Sequence, residues 1–115
     1  MIKIYGIKNC DTMKKAFKWL DAEGVKYHFH NYKEAAIDKA TIEKWLKYLP
    51  LEKLVNSKGT TFRSLTEQEK LDSKIPTKAI ALMIKNPSLI KRPVVDLGNN
   101  KFLVGFDEAE WKMMF

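Results

Sequence analysis

One cysteine, Cys10, is all that the 115 residues contain, so no internal disulfide can form. A lone thiol suits a reducing compartment, and no charged leader with an apolar core opens the chain, so a cytoplasmic location is expected. No apolar run approaches the ~20 residues that span a bilayer, which argues against a membrane partner. Arginine is nearly missing: among 21 basic residues only Arg63 and Arg92 are not lysine. Without aromatics interleaved with arginine, the net charge of +7 reads as a solvated lysine surface, and no direct nucleic-acid partner is expected. Histidine is just as sparse. His28 and His30 have only Cys10 as a further soft ligand, and no zinc spacing results, so no metal site is expected.

What is present has the patterning of one domain, of a length that buries its own core. "IKIYG" alternates and stops at glycine, as a strand does before a turn. Met13, Ala16, Phe17 and Leu20 then recur at helical spacing, with Asp11 or Thr12 as candidate caps and Gly24 as a stop. "VKYHFHNY" returns to a period of two, which completes a βαβ unit with parallel strands. "DKATIEKWLKYL" predicts a helix capped by Asp38, and "LEKLVNSKG" a shorter one ending near Gly59. "SLTEQEKLDS" carries a capping-box pattern from Thr66 to Glu69, and "TKAIALMIKN" reads as a helix buried against a sheet. "RPVVDLG" and "KFLVGF" flank a hairpin signal at residues 98–100, and Asp107 opens a last helix.

Cys10 falls between the first strand and the first helix, in the polar turn Asn9, Asp11, Thr12. Unpaired backbone N–H groups converge at such a helix start, and together with Lys8, Lys14 and Lys15 they favour a thiolate over a thiol. Asp11 acts in the opposite sense. A buried, inert cysteine is the competing reading, and the polar turn is a poor place to bury one. Arg63 follows the turn-like "KGTTF" and Arg92 precedes Pro93. In a chain so rich in lysine, two arginines mark positions for two-pronged anion recognition.

"YGIKNCDTMKKA", "KGTTFR" and "IKRPVV", in this order and over nearly the whole chain, resemble the ArsC/Spx family, most of all its YffB-type branch. The resemblance implies an α/β, thioredoxin-like fold: a four-stranded mixed sheet with flanking helices. The core would span about 1–33 and 87–115, and a helical insertion about 34–86. It implies Cys10 as nucleophile, Arg63 and Arg92 as anion-binding groups, Pro93 as a cis-proline, and Asn9, Thr12 and Lys8 in support. It further implies a glutathione-dependent thiol reductase or an arsenate reductase-like enzyme. No cofactor would be tightly bound, glutathione would be reductant or co-substrate, and glutaredoxin a partner. Two departures stand out. The third arginine of the family's arsenate reductases is missing, Lys101 being the one cation in "NNKFLVGF". Met13 replaces the second cysteine of the Spx regulators' C-x-x-C switch. The alternative within the same resemblance is a non-enzymatic, Spx-like regulator that docks on RNA polymerase.

Overall fold

Ile4, Met13, Ala16, Leu20, Val95, Leu103 and Trp111 come from five separate elements and form one fully or nearly fully buried cluster. The computed structural model describes residues 1–115 and divides them into two compact units, Met1–Ala35 with Arg92–Phe115, and Ala36–Lys91. The cluster belongs to the first unit. There the strands β1 (Ile2–Gly6), β2 (Tyr27–Asn31), β3 (Val94–Gly98) and β4 (Lys101–Val104) form one sheet in the order β2-β1-β3-β4. β1 and β2 run parallel, with Ile4 opposite Phe29 and Gly6 opposite Asn31. β3 is antiparallel to both β1 and β4. This is the four-stranded mixed sheet with flanking helices that the resemblance implies.

Helix α1 (Asp11–Ala22) makes the crossover between the parallel strands and buries Met13, Ala16 and Leu20. Its cap is Cys10, not Asp11 or Thr12, because the extended backbone falls at Cys10 (φ −145°, ψ 132°) and Asp11 is already helical. Gly24 at φ 67° lets the chain leave the helix. The Val25 N–H is still held by the Leu20 carbonyl at 2.9 Å, so β2 begins at Tyr27 and not at Val25. Between β3 and β4 the turn passes through Asn99 and Asn100, at φ 54° and 60°, the left-handed pair of a type I′ hairpin. A last helix, α7 (Glu108–Met114), seats Trp111 among Trp19, Phe106 and Phe115. The indole N–H of Trp111 donates to the Gly105 carbonyl at 3.2 Å.

The second unit is helical: α2 (Lys39–Tyr48), α3 (Leu51–Leu54), α4 (Thr60–Arg63), α5 (Glu67–Asp72) and α6 (Pro76–Lys85), then a 3₁₀ turn at Pro87–Leu89. Asp38 caps α2, accepting from the Thr41 N–H at 2.8 Å. Thr66 and Glu69 form a complete capping box on α5. Two expectations change here. α3 is only one turn, because Val55 leaves it to pair with Ile90. "TTFR" is a helical turn and not a loop. Within this unit α6 packs on α2, α5 and the 3₁₀ turn. The unit also runs to Lys91, beyond the expected residue 86, since Asn56 N–H bonds Leu89 and Lys91 N–H bonds Leu54, each at 2.7 Å. No helix is long and apolar enough to cross a membrane.

Leu20 lies fully within the first unit's core, whereas Met113 is 86% exposed. Leu20→Ala is expected to cost about 2–5 kcal/mol in urea unfolding, through lost burial and the cavity left behind. Met113→Ala is expected to stay within about 0.5 kcal/mol.

Candidate active site

Gly6 ends β1 where α1 passes closest to it. A Cβ at that position would meet Met13 Sδ at 2.6 Å, so the absence of a side chain lets the helix start lie against the strand end. The chain turns through Ile7–Asn9 and enters the helix at Cys10, whose carbonyl accepts from the Lys14 N–H at 2.9 Å. No side-chain oxygen caps this helix. The sulfur is half-buried, and the N–H groups of Met13 and Thr12 favour its charged form.

β3 brings the second component. Its first residue, Val94, is paired with Tyr5 on β1, so the residues just before it run past the exit of β1. The Arg92–Pro93 peptide is cis, and Arg92 is hydrogen-bonded to the Cys10 sulfur. Burial of the sulfur raises its pKa and is the largest single influence. The Met13 N–H, the Arg92 guanidinium and the Thr12 N–H act together against it, and the net position is below the ordinary 9.0. The site therefore holds a sulfur biased toward the thiolate, the form that attacks.

Lys8 and Asn9 are exposed in the preceding turn and line an open groove with Lys14, Phe17, Lys18 and Asp21. Thr12 contributes its backbone N–H rather than its hydroxyl. Arg63 belongs to the second unit, where it ends α4 and its guanidinium donates to the Lys58 carbonyl at 3.0 Å. His30 stands near Tyr5, ring centroids 5.1 Å apart, and its Nε2 donates to the Ala35 carbonyl at 2.9 Å. Sequence reading passed over Tyr5 and Tyr32. Both sit beside the paired ends of β1 and β2, and the one available signal was that parallel register brings these two strand ends together.

The rate of Cys10 alkylation by iodoacetamide is expected to rise with pH about a midpoint below 9.0. Arg92→Ala removes a group that favours the anion and should move that midpoint upward. Because the folded pKa is the lower one, the thiolate adds stability above the unfolded value. That stability is lost as pH falls through the folded value, and Cys10→Ser should abolish this part of the pH dependence in urea unfolding.

The ArsC family model matches residues 5–114. Among solved structures, the YffB protein is similar at 45% identity and a TM-score of 0.92, covering 98% of this chain and 97% of its own. An arsenate reductase (ArsC) related protein from Brucella melitensis is similar at 44% identity and a TM-score of 0.76, covering 97% of this chain and 92% of its own. The global transcriptional regulator Spx of Streptococcus mutans is 27% identical over 96% of this chain and 80% of its own. A half-buried thiol at the mouth of α1, the arginine before the cis-proline and a match over nearly the full length lead to one assignment: the chain belongs to the ArsC family.

Proposed function

We propose that the protein is a thiol oxidoreductase whose single nucleophile is Cys10, with a glutathione-type thiol as the resolving reductant. The observation that carries this reading is the Cys10 sulfur on the first turn of α1, hydrogen-bonded to Arg92 and lowered in pKa. The Cys10 thiolate attacks one sulfur of a disulfide R–S–S–R′, forming Cys10–S–S–R′ and releasing R–S⁻. With no second cysteine in the chain, an external thiolate must attack next. It frees the Cys10 thiolate and leaves as the disulfide R′–S–S–R″, so that in sum R–S–S–R′ and R″–S⁻ become R–S⁻ and R′–S–S–R″. Arg92 offers a planar fork to an anionic substrate at the same place, and Lys8, Lys14 and Lys18 add positive potential along the groove. Arg63 is assigned to the same anion by its match to the family motif. Arsenate is the oxyanion form of the same chemistry, with Lys101 in the neighbourhood where family arsenate reductases carry a third arginine.

Cys10→Ser should abolish reduction of glutathione mixed disulfides and of arsenate while leaving the thermal unfolding profile cooperative. Arg92→Lys should keep the charge yet lower kcat/KM about ten- to a hundredfold, the worth of a charge-assisted hydrogen bond. Arg63→Ala, assayed alongside, tests whether that guanidinium serves the same substrate. Turnover by Cys10→Ser at the wild-type rate would end the oxidoreductase reading.

A second reading draws on the similarity to the Spx regulator over 96% of the chain: a binding module that docks on RNA polymerase. Polymerase subunits recovered in stoichiometric amount from lysate, equally by wild type and Cys10→Ser, would favour it over the enzyme.

A further inference from the structure

Lys14, Phe17, Lys18 and Asp21 recur at three- and four-residue intervals along α1 and so share one stripe of its surface. With Lys8 and Asn9 from the preceding turn they line an open groove of about 490 Å³. The near end of this groove is tied to the thiol twice. Asn9 directly precedes Cys10, and the Lys14 N–H bonds the Cys10 carbonyl at 2.9 Å. Phe17 supplies the aromatic wall, held by Tyr27, stacked on it with centroids 5.5 Å apart, and by Phe29, edge-on at 5.0 Å. Asp21, the one acid on the lining, lies about two helical turns beyond Lys14.

The lysines of the groove have no partner within the protein. The ion pairs are Lys70 with Glu67, Lys78 with Asp72 and Lys112 with Glu108, so Lys8, Lys14 and Lys18 are uncompensated. Lys14 and Lys18 repel each other at an i,i+4 spacing, and Lys14 stands near the positive end of the helix dipole. Both arrangements work against the helix, and a ligand bringing negative charge relieves both. No arginine lines the groove, so no planar fork fixes a single carboxylate there. Flexible ammonium groups spread along a stripe suit several carboxylates in a row. From Lys14 to Asp21 the helix rises about 10 Å, the length of about three residues of extended chain. The lysine stems and the Phe17 ring offer apolar surface to such a chain, and the Asn9 amide offers a donor and an acceptor to its backbone.

We propose that this groove takes an extended acidic polypeptide segment, so that the substrate of Cys10 is a mixed disulfide on a protein cysteine flanked by carboxylates. The proposal rests on the reading of Cys10 as the nucleophile of a thiol oxidoreductase and narrows its substrate. The docked segment is R in R–S–S–R′, and R′ is the glutathione-type thiol. The Cys10 thiolate attacks the R′ sulfur. The Cys10–S–S–R′ bond forms as the original S–S bond breaks, and the segment leaves as R–S⁻ with the bonding pair. A second glutathione-type thiolate then attacks the R′ sulfur, forms the disulfide of the two small thiols and restores the Cys10 thiolate. Lysines beside the departing sulfur stabilise its charge.

Three synthetic peptides test this, each with one cysteine in mixed disulfide with glutathione and with glutamates, serines or lysines at the three positions on either side. At an ionic strength of about 0.02 M, kcat/KM should be about tenfold higher for the glutamate peptide than for the serine peptide, and lowest for the lysine peptide. About 0.5 M salt should bring the three together, which reads the charge pairing in the unaltered protein. Lys18→Glu balances the groove at two cations and two acids and should remove the preference. Lys112→Glu, the same change in net charge outside the groove, should keep it. Equal kcat/KM for the three peptides at low salt, or a preference that both substitutions alter alike, overturns the proposal while the oxidoreductase reading stands. Absence of turnover on all three by the wild type ends that reading and the proposal with it.

Discussion

Moving a sulfur out of water at the start of a helix disfavours its charge, and around Cys10 this desolvation is the largest influence on the pKa. Three donors reverse the outcome: the N–H groups of Met13 and Thr12, and the guanidinium of Arg92. The first two exist only because α1 begins at Cys10 and leaves its first N–H groups without helical acceptors. The third exists only because β3 pairs with β1 so that the residue before Pro93 passes the end of β1. The reactivity of the site is thus a property of how one helix start and one strand start are set against the end of β1. Gly6 is what permits the close approach, since a methyl group there would press on Met13.

A single-cysteine site has consequences for what surrounds it. With no partner thiol in the chain, the proposed oxidoreductase would need each mixed disulfide opened from outside, which asks for a sulfur that stays reachable while its charge is held. Cys10 is half-buried, and the turn just before it lines an open groove rimmed by lysines. The covered phenol of Tyr32 is the opposite kind of feature: out of reach, neutral and without a hydrogen-bond partner.

Much of this was legible residue by residue. The helical spacing of Met13, Ala16 and Leu20, the alternation of Ile2 and Ile4, and the turn at residues 98–100 are local signals, and each element is where its signal lies. The capping box at Thr66 and Glu69 is equally local and is complete. Misreadings occurred where a local preference met a distant partner. Val55 reads as helix continuing from "LEKL", yet it pairs with Ile90 across the second unit. Asp11 and Thr12 have better intrinsic capping chemistry than cysteine, but the backbone turns helical one residue too early for Asp11 and two too early for Thr12. α6, apolar on nearly every side, carries no mark of whether a sheet or a helix will cover it, and in its unit the cover is helical.

Cys10 as the sole thiol, the scarcity of arginine and the strand–turn–helix setting of that thiol were determined by the sequence alone, because composition and short-range periodicity carry them. The hydrogen bond from Arg92 to a sulfur 82 positions earlier, and the burial of Tyr32 without a partner, were decided only by the tertiary structure. Both depend on strand register: the pairing of Tyr5 with Val94 and of Gly6 with Asn31 brings these side chains to one place, and register is a property of the assembled sheet.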